Sequence, residues 1–213
     1  MKIFTFILAF TLLAGTMTKS FAKDRKLSNG FSINLVAGIP SSTFGIPKDG
    51  GFDYQYNSKS IWGLKIGNRW YFSPTEKFGF GLMANWVDIS FSLKSKIDHS
   101  SSEFGGIELS FLEVGPIGTY ALTNEIALDA YYNLRPTGII VGGLADGTTA
   151  YYRGVGFSHA LGTALRYKIF NFGMELVMGG INSTPDGTAK NKETLNDQKN
   201  MTNSLRIMFG IKF

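Results

Sequence analysis

The chain has 213 residues, 44% hydrophobic and 14% aromatic, with 26 glycines and no cysteine; that is enough apolar surface for one domain and too much for a disordered segment. Its formal net charge of +5 falls to +3 if Lys2 and Lys19 leave with an amino-terminal signal, since 19 basic and 16 acidic residues then remain. So small a surplus does not indicate a nucleic-acid partner, and the lack of cysteine excludes disulfides and a lipid-anchored amino-terminal cysteine.

Residues 1–22 read as a secretory signal. Lys2 precedes an apolar run from Ile3 to Gly15, and the small residues Ser20 and Ala22 mark a cut after Ala22. The run is shorter than the ~20 residues a helix needs to cross a bilayer. Residues 23–30 (KDRKLSNG) form a polar lead-in, expected to be a periplasmic tail. From Phe31 to Ile39 apolar residues alternate with Ser32, Asn34, Val36 and Gly38, which predicts a first strand stopped by Pro40.

A long polar loop over residues 41–60 carries Tyr54 and Tyr56. The second strand sets Trp62, Leu64, Ile66, Trp70 and Phe72 against Gly63, Lys65, Gly67, Arg69 and Tyr71, with Asn68 the one misfit on the apolar side. After a tight turn at Ser73–Lys77, the third strand runs through Phe78, Phe80, Leu82, Ala84 and Trp86. Its parity then slips to Ile89, Phe91 and Leu93, predicting a β-bulge near Val87 and Asp88.

Lys94–Gly106 is a second polar loop. The fourth strand begins at Ile107, Leu109 and Phe111, slips to Leu112 and Val114, and contains Pro116, which cannot donate to a ladder and calls for a bulge. A short turn at Leu122–Glu125 leads to clean alternation from Ile126 to Leu134, and Pro136 is expected to end that strand. Thr137–Gly154 reads as a third long connection, carrying Tyr151 and Tyr152. The sixth strand shows Val155, Phe157, Leu161, Leu165 and Tyr167 on one face. A very short turn at Ile169–Asn171 precedes a seventh strand from Phe172, and Asn182–Thr202 is a fourth long loop.

The chain closes with Leu205, Ile207, Phe209, Ile211 and Phe213 on one parity and Ser204, Arg206, Met208, Gly210 and Lys212 on the other. An amphipathic strand ending on an aromatic residue resembles the closing strand of small, non-porin bacterial outer-membrane β-barrels. Short turns alternating with long loops resemble their layout as well. The resemblance, spanning residues 31–213, implies an all-β, eight-stranded antiparallel up-and-down transmembrane β-barrel in the outer membrane of a Gram-negative cell. It further implies a terminal assembly signal at Phe209 and Phe213 read by the barrel assembly machinery, contact with outer-membrane lipids and lipopolysaccharide, and a monomer.

Periodicity alone fits a secreted sandwich or lipocalin-like barrel equally well, because it does not say which face is outside. Large residues on every apolar face, aromatics beside the short turns and the terminal Phe213 favour lipid outside. The other parity then fills the lumen with Lys65, Arg69, Arg135, Arg166 and Arg206 facing Glu113, Asp129 and Glu175. An eight-stranded barrel is just wide enough to be filled by its own side chains, so the expectation is a plugged bore held by ion pairs.

No phosphate loop, HExxH, EF-hand or cysteine-based metal site is present in the sequence, and no cofactor is expected. Some eight-stranded outer-membrane barrels deacylate lipopolysaccharide with an outward histidine and a serine two residues later. His159 is similar in placement, but Leu161 stands where that serine would be, and Ser158 points to the opposite face. The reading is therefore of a non-enzymatic barrel with a structural or surface-interaction role through four extracellular loops. Tyr54, Tyr56, Tyr151 and Tyr152 are candidate loop contacts. A narrow channel for small or hydrophobic solutes and a lipid A-modifying enzyme are the alternatives.

Overall fold

The computed structural model describes residues 27–40, 43–45, 55–57, 60–72, 74–96, 103–145, 148–186 and 198–213. The signal reading over residues 1–22, the candidate Tyr54 and the first four residues of the lead-in lie outside them.

Eight antiparallel strands form the wall: β1 (Gly30–Pro40), β2 (Ile61–Phe72), β3 (Phe78–Lys96), β4 (Glu103–Ala121), β5 (Ile126–Ala145), β6 (Thr148–Tyr167), β7 (Phe170–Asp186) and β8 (Ser204–Lys212). Each pairs with its neighbour in sequence, and β8 returns to pair with β1, from Ser32 opposite Lys212 to Pro40 opposite Ser204. The sheet is a closed up-and-down ring. Closure leaves none of these strands as a bare edge, so backbone groups are satisfied within the wall.

Burial decides which face is outside. Arg135, Arg206, Glu113, Asp129 and Glu175 are fully buried, whereas Leu35, Trp62, Phe72, Phe111, Val155, Phe157 and Ile207 are more than half exposed. A soluble sandwich or lipocalin-like barrel would show the reverse. So continuous an apolar exterior is far beyond what a water-exposed surface carries, and its natural solvent is lipid.

The polar misfit of β2 on that exterior, Asn68, is covered. In β3 the register jumps from Val87 opposite Ile66 to Asn85 opposite Gly67, so Trp86 is the extra residue of a bulge. The bulge lies just before the expected Val87–Asp88 position. It swings the Trp86 indole over Asn68, donating from Nε1 to Oδ1 at 2.6 Å, and the ring meets Trp70 edge-on at 6.0 Å. A lipid-facing amide is thereby paired inside an aromatic cover.

Several expected boundaries shift. Pro136 does not end β5, which continues to Ala145. The Pro136 carbonyl faces β4 and accepts from Ser110 Oγ at 2.7 Å. There the β4–β5 register skips from Ser110–Thr137 to Val114–Leu134, so no ladder donor is demanded of the proline. That bulge is at Leu112, whose φ is 54°, four residues before Pro116. Pro116 itself stays aligned with Leu82 of β3 and falls in a second gap of the β4–β5 register.

The expected long connections are also shorter. Strand pairing occupies residues 94–96 and 103–106, most of 137–154, and 182–186, with Gln198–Met201 added against β7. Thr43–Gly45 and Gln55–Asn57 pair within the first loop. These segments lack side-chain alternation, yet backbone pairing carries the ladder onward regardless of side chain. The turn expected at Ile169–Asn171 sits at Lys168–Ile169, and β1 starts at Gly30 rather than Phe31.

The end of the lead-in is no free tail. Leu27 is buried beside Tyr71 and Gly79, Asn29 Oδ1 accepts from the Tyr71 amide at 2.7 Å, and Lys212 Nζ donates to the Ser28 carbonyl at 2.7 Å. One apolar residue in a polar run is enough to seat it on the mouth at the short-turn end.

Candidate functional site

The bore is filled by two charged clusters, both built from the inward parity of the strands. Nearer the short turns, Asp129 of β5 receives two arginines. Arg69 of β2 donates to Oδ2 at 2.6 Å, and Arg166 of β6 donates through Nε at 2.9 Å and through its terminal nitrogen to Oδ1 at 3.0 Å. Thr119 Oγ1 adds a 2.6 Å bond to Oδ1, and Tyr71 bridges Thr119 and Arg166. Asn171 and Asn34 pair beside them at 2.7 Å.

Further up, Lys65 of β2 lies 2.8 Å from both carboxylate oxygens of Glu175 on β7, and within 3.3 Å of Glu113 and 3.4 Å of Asp88. Arg135 of β5 donates to Asp88, Glu108 and Glu113; Arg206 of β8 donates to Asp88 at 3.1 Å and Glu108 at 2.7 Å. Asn85 and the Tyr131 hydroxyl complete the carboxylate shells of Glu113 and Glu175. Side-chain hydroxyls of Ser90, Ser158 and Ser204 take remaining guanidinium hydrogens.

These contacts run across the bore. Lys65–Glu175, Arg69–Asp129 and Arg206–Asp88 each join strands three places apart in the ring of eight. Val36, Tyr71, Met83, Ile117, Tyr131 and Met208 pack as an apolar cluster within the same bore. Tyr131 has room to lie toward Glu175 because its neighbour on β6 is Gly162: a Cβ there would collide with the phenol. Desolvating so many charges is costly, and only pairing of this density offsets it.

All eight lumen residues expected from sequence, Lys65, Arg69, Glu113, Asp129, Arg135, Arg166, Glu175 and Arg206, sit in these clusters. Asp88 and Glu108 were missed, although each binds both upper arginines. The bulge at Trp86 hid the parity of Asp88; Glu108 shares a parity with Ser110, opposite Ile107 and Leu109, and was legible.

On the outside, His159 stacks on Tyr132 with ring centroids 5.9 Å apart, and Tyr132 Oη and His159 Nδ1 are 2.6 Å apart. Ser158 lies in the bore, bonded to Arg135 and Thr137. The wall therefore separates that serine from the histidine. The candidates Tyr56, Tyr151 and Tyr152 fall in strand ladders at Gln55–Asn57 and Thr148–Tyr167. Phe209 and Phe213 are exposed on the exterior, Phe209 packing on Phe172 at 4.9 Å and Phe213 near Phe31 at 6.4 Å.

No family model and no curated protein matches the chain. Solved outer-membrane structures do. The outer membrane protein OprG from Pseudomonas aeruginosa is 14% identical, with 90% of this chain and 99% of that chain covered at a TM-score of 0.50. The outer membrane protease OmpT from Escherichia coli is 10% identical over 86% and 96% of the two chains at 0.49, and Ail, the attachment invasion locus protein of Yersinia pestis, is 12% identical over 87% and 97% at 0.44. The likeness to OprG is one of fold. Together with the lipid-facing exterior it makes this chain a small eight-stranded β-barrel of the bacterial outer membrane.

Proposed function

We propose that this protein is a closed surface barrel, serving a structural or surface-interaction role through its extracellular loops rather than conducting solutes or turning over a substrate. The observation that carries the reading is the bore itself. Two tiers of charge pairs join opposite walls, and an apolar cluster packs among them.

The same reading takes the outward, aromatic-ended β8 as the segment that the barrel assembly machinery recognises, and lipopolysaccharide as the neighbour of the loops. Each barrel acts as a monomer. Against a lipid-modifying enzyme stands the wall between Ser158 and His159, whose ring is engaged by Tyr132.

The test is conductance of the refolded mature protein in a planar bilayer at neutral pH. The expected record is flat, with no unitary steps above the bare membrane. Reproducible steps that survive repurification would overturn the closed barrel and favour a narrow channel.

A further inference from the structure

On the lipid-facing wall, Tyr132 of β5 and His159 of β6 form a polar pair with a donor hydrogen left over. Tyr132 Oη and His159 Nδ1 are 2.6 Å apart, and the rings stack with 24° between their planes. A phenol brings one donor hydrogen and an imidazole at least one, and the bond between them uses only one. A phenol is the better donor and a bare ring nitrogen the better acceptor, so Tyr132 donates to Nδ1. That bond fixes the tautomer and leaves the ring hydrogen on Nε2.

The protein offers this hydrogen nothing. Among the described residues neither side chain makes a further hydrogen bond. In the ladder His159 stands between Leu134 of β5 and Met178 of β7, and Tyr132 stands opposite Leu161 of β6; all three neighbours are exposed, apolar side chains of the wall. An N–H turned toward hydrocarbon is expensive unless an acceptor reaches it. The acceptor must therefore come from the membrane.

Height along the strand says which acceptor that is. β6 ends at Tyr167, and beside it Lys168 and Glu125 pair as half-exposed ions, which marks the water edge at the short turns. His159 lies eight residues up the strand from Tyr167. At about 3.4 Å per residue and a tilt of roughly 40° this is a rise of about 21 Å, close to the far side of an apolar band ~25 Å tall. Phe157, two residues further on and well exposed, then stands in the far aromatic girdle. At that depth a lipid presents the carbonyls that join its acyl chains to the headgroup, and its phosphates lie further out.

We propose that Tyr132 and His159 form a lipid-binding site, in which His159 Nε2 donates to an acyl carbonyl of a lipid in the leaflet on the long-loop side. Tyr132 is its positioning residue, holding the tautomer and the plane of the ring. The site shares with the closed-barrel reading the apolar parity facing lipid, but it requires neither a filled bore nor the loops.

The experiment is dipolar recoupling by solid-state NMR on the mature protein refolded into phosphatidylcholine bilayers, with isotopic nitrogen in the histidine rings. The chain has two histidines, so His99→Gln leaves one ring to report. Separate samples carry isotopic carbon at the acyl carbonyls or at the terminal methyls of the chains. The expected spectrum has a protonated Nε2 and a bare Nδ1, with Nε2 dephased by the carbonyl carbons and not by the methyls. In Tyr132→Phe the two ring nitrogens should share the hydrogen, and the dephasing of Nε2 should fall. Unchanged tautomer and dephasing in that variant would overturn the role of Tyr132. Dephasing by the lipid phosphorus alone would hand the ring to a phosphate and overturn the carbonyl site. Magnetisation reaching the ring from chain protons but not from carbonyls would strike the site and leave the lipid-facing wall standing; contact with neither would strike both.

Discussion

Replacing Asp129 by alanine is expected to cost about 3–5 kcal/mol of barrel stability, the range for stripping one partner from a buried ion pair. Asp129 is the carboxylate shared by Arg69 and Arg166, and it also accepts from Thr119. Alanine leaves two guanidiniums buried together in the filled bore, with Tyr71 and Asn171 for company. Arginine does not shed its proton, so the charge cannot be relieved by titration. Urea midpoints of parent and variant in the same detergent measure the effect. A loss below about 1 kcal/mol, the size of an exposed pair, would mean that water reaches this cluster freely.

The second large effect is expected for Lys65→Met, which keeps the aliphatic stem and removes the ammonium. Lys65 stands within 3.4 Å of three carboxylates. Without it, Asp88, Glu108, Glu113 and Glu175 share Arg135 and Arg206 alone. The expected loss is again about 3–5 kcal/mol near neutral pH. Its pH dependence differs from that of Asp129→Ala. Carboxylates can take up protons, so lowering the pH from about 8 to about 5 should recover part of the stability lost in Lys65→Met. It should recover none in Asp129→Ala, where the stranded groups are arginines. The two variants measured side by side separate electrostatic loss from a packing defect, which would not respond to pH in either.

The sequence carried the wall and most of its filling because a strand encodes sidedness at every second residue. Leu205 to Phe213 and Ile126 to Leu134 alternate without a break, and their inward residues, Arg206, Asp129 and Arg135 among them, follow by counting. Legibility failed where counting failed. One extra residue at Trp86 flipped the parity behind it and hid Asp88, the carboxylate that gathers Lys65, Arg135 and Arg206. Pro136 signals a strand end, yet its position opposite a bulge excuses it from donating. From Gly138 to Ala145 apolar residues and glycines follow one another without polar partners to mark a parity, while their backbones stay paired. Partner choice was not legible at all. Parity says that Lys65 points inward, but which carboxylate it meets depends on ring closure, which sets β7 across from β2.

The Asn68–Trp86 pair shows the same limit from outside. A polar residue on an apolar face reads as an error in the strand assignment until the bulge brings an indole over it. Sequence supplies both residues, and the ladder slip that joins them is a three-dimensional event.

All of this rests on the apolar parity facing lipid, and the three tryptophans of the chain report on that directly. Trp62 lies on the outward parity near the long-loop rim, Trp70 near the short-turn rim, and Trp86 is packed against Trp70. We would measure tryptophan fluorescence of the mature protein reconstituted in bilayers of lipids brominated along the acyl chains, beside unbrominated lipid and beside aqueous iodide. The account predicts strong quenching by the brominated chains and little by iodide. Fluorescence unchanged by bromolipid, in a protein that stays in solution without detergent, would contradict it and turn the apolar face back into a core.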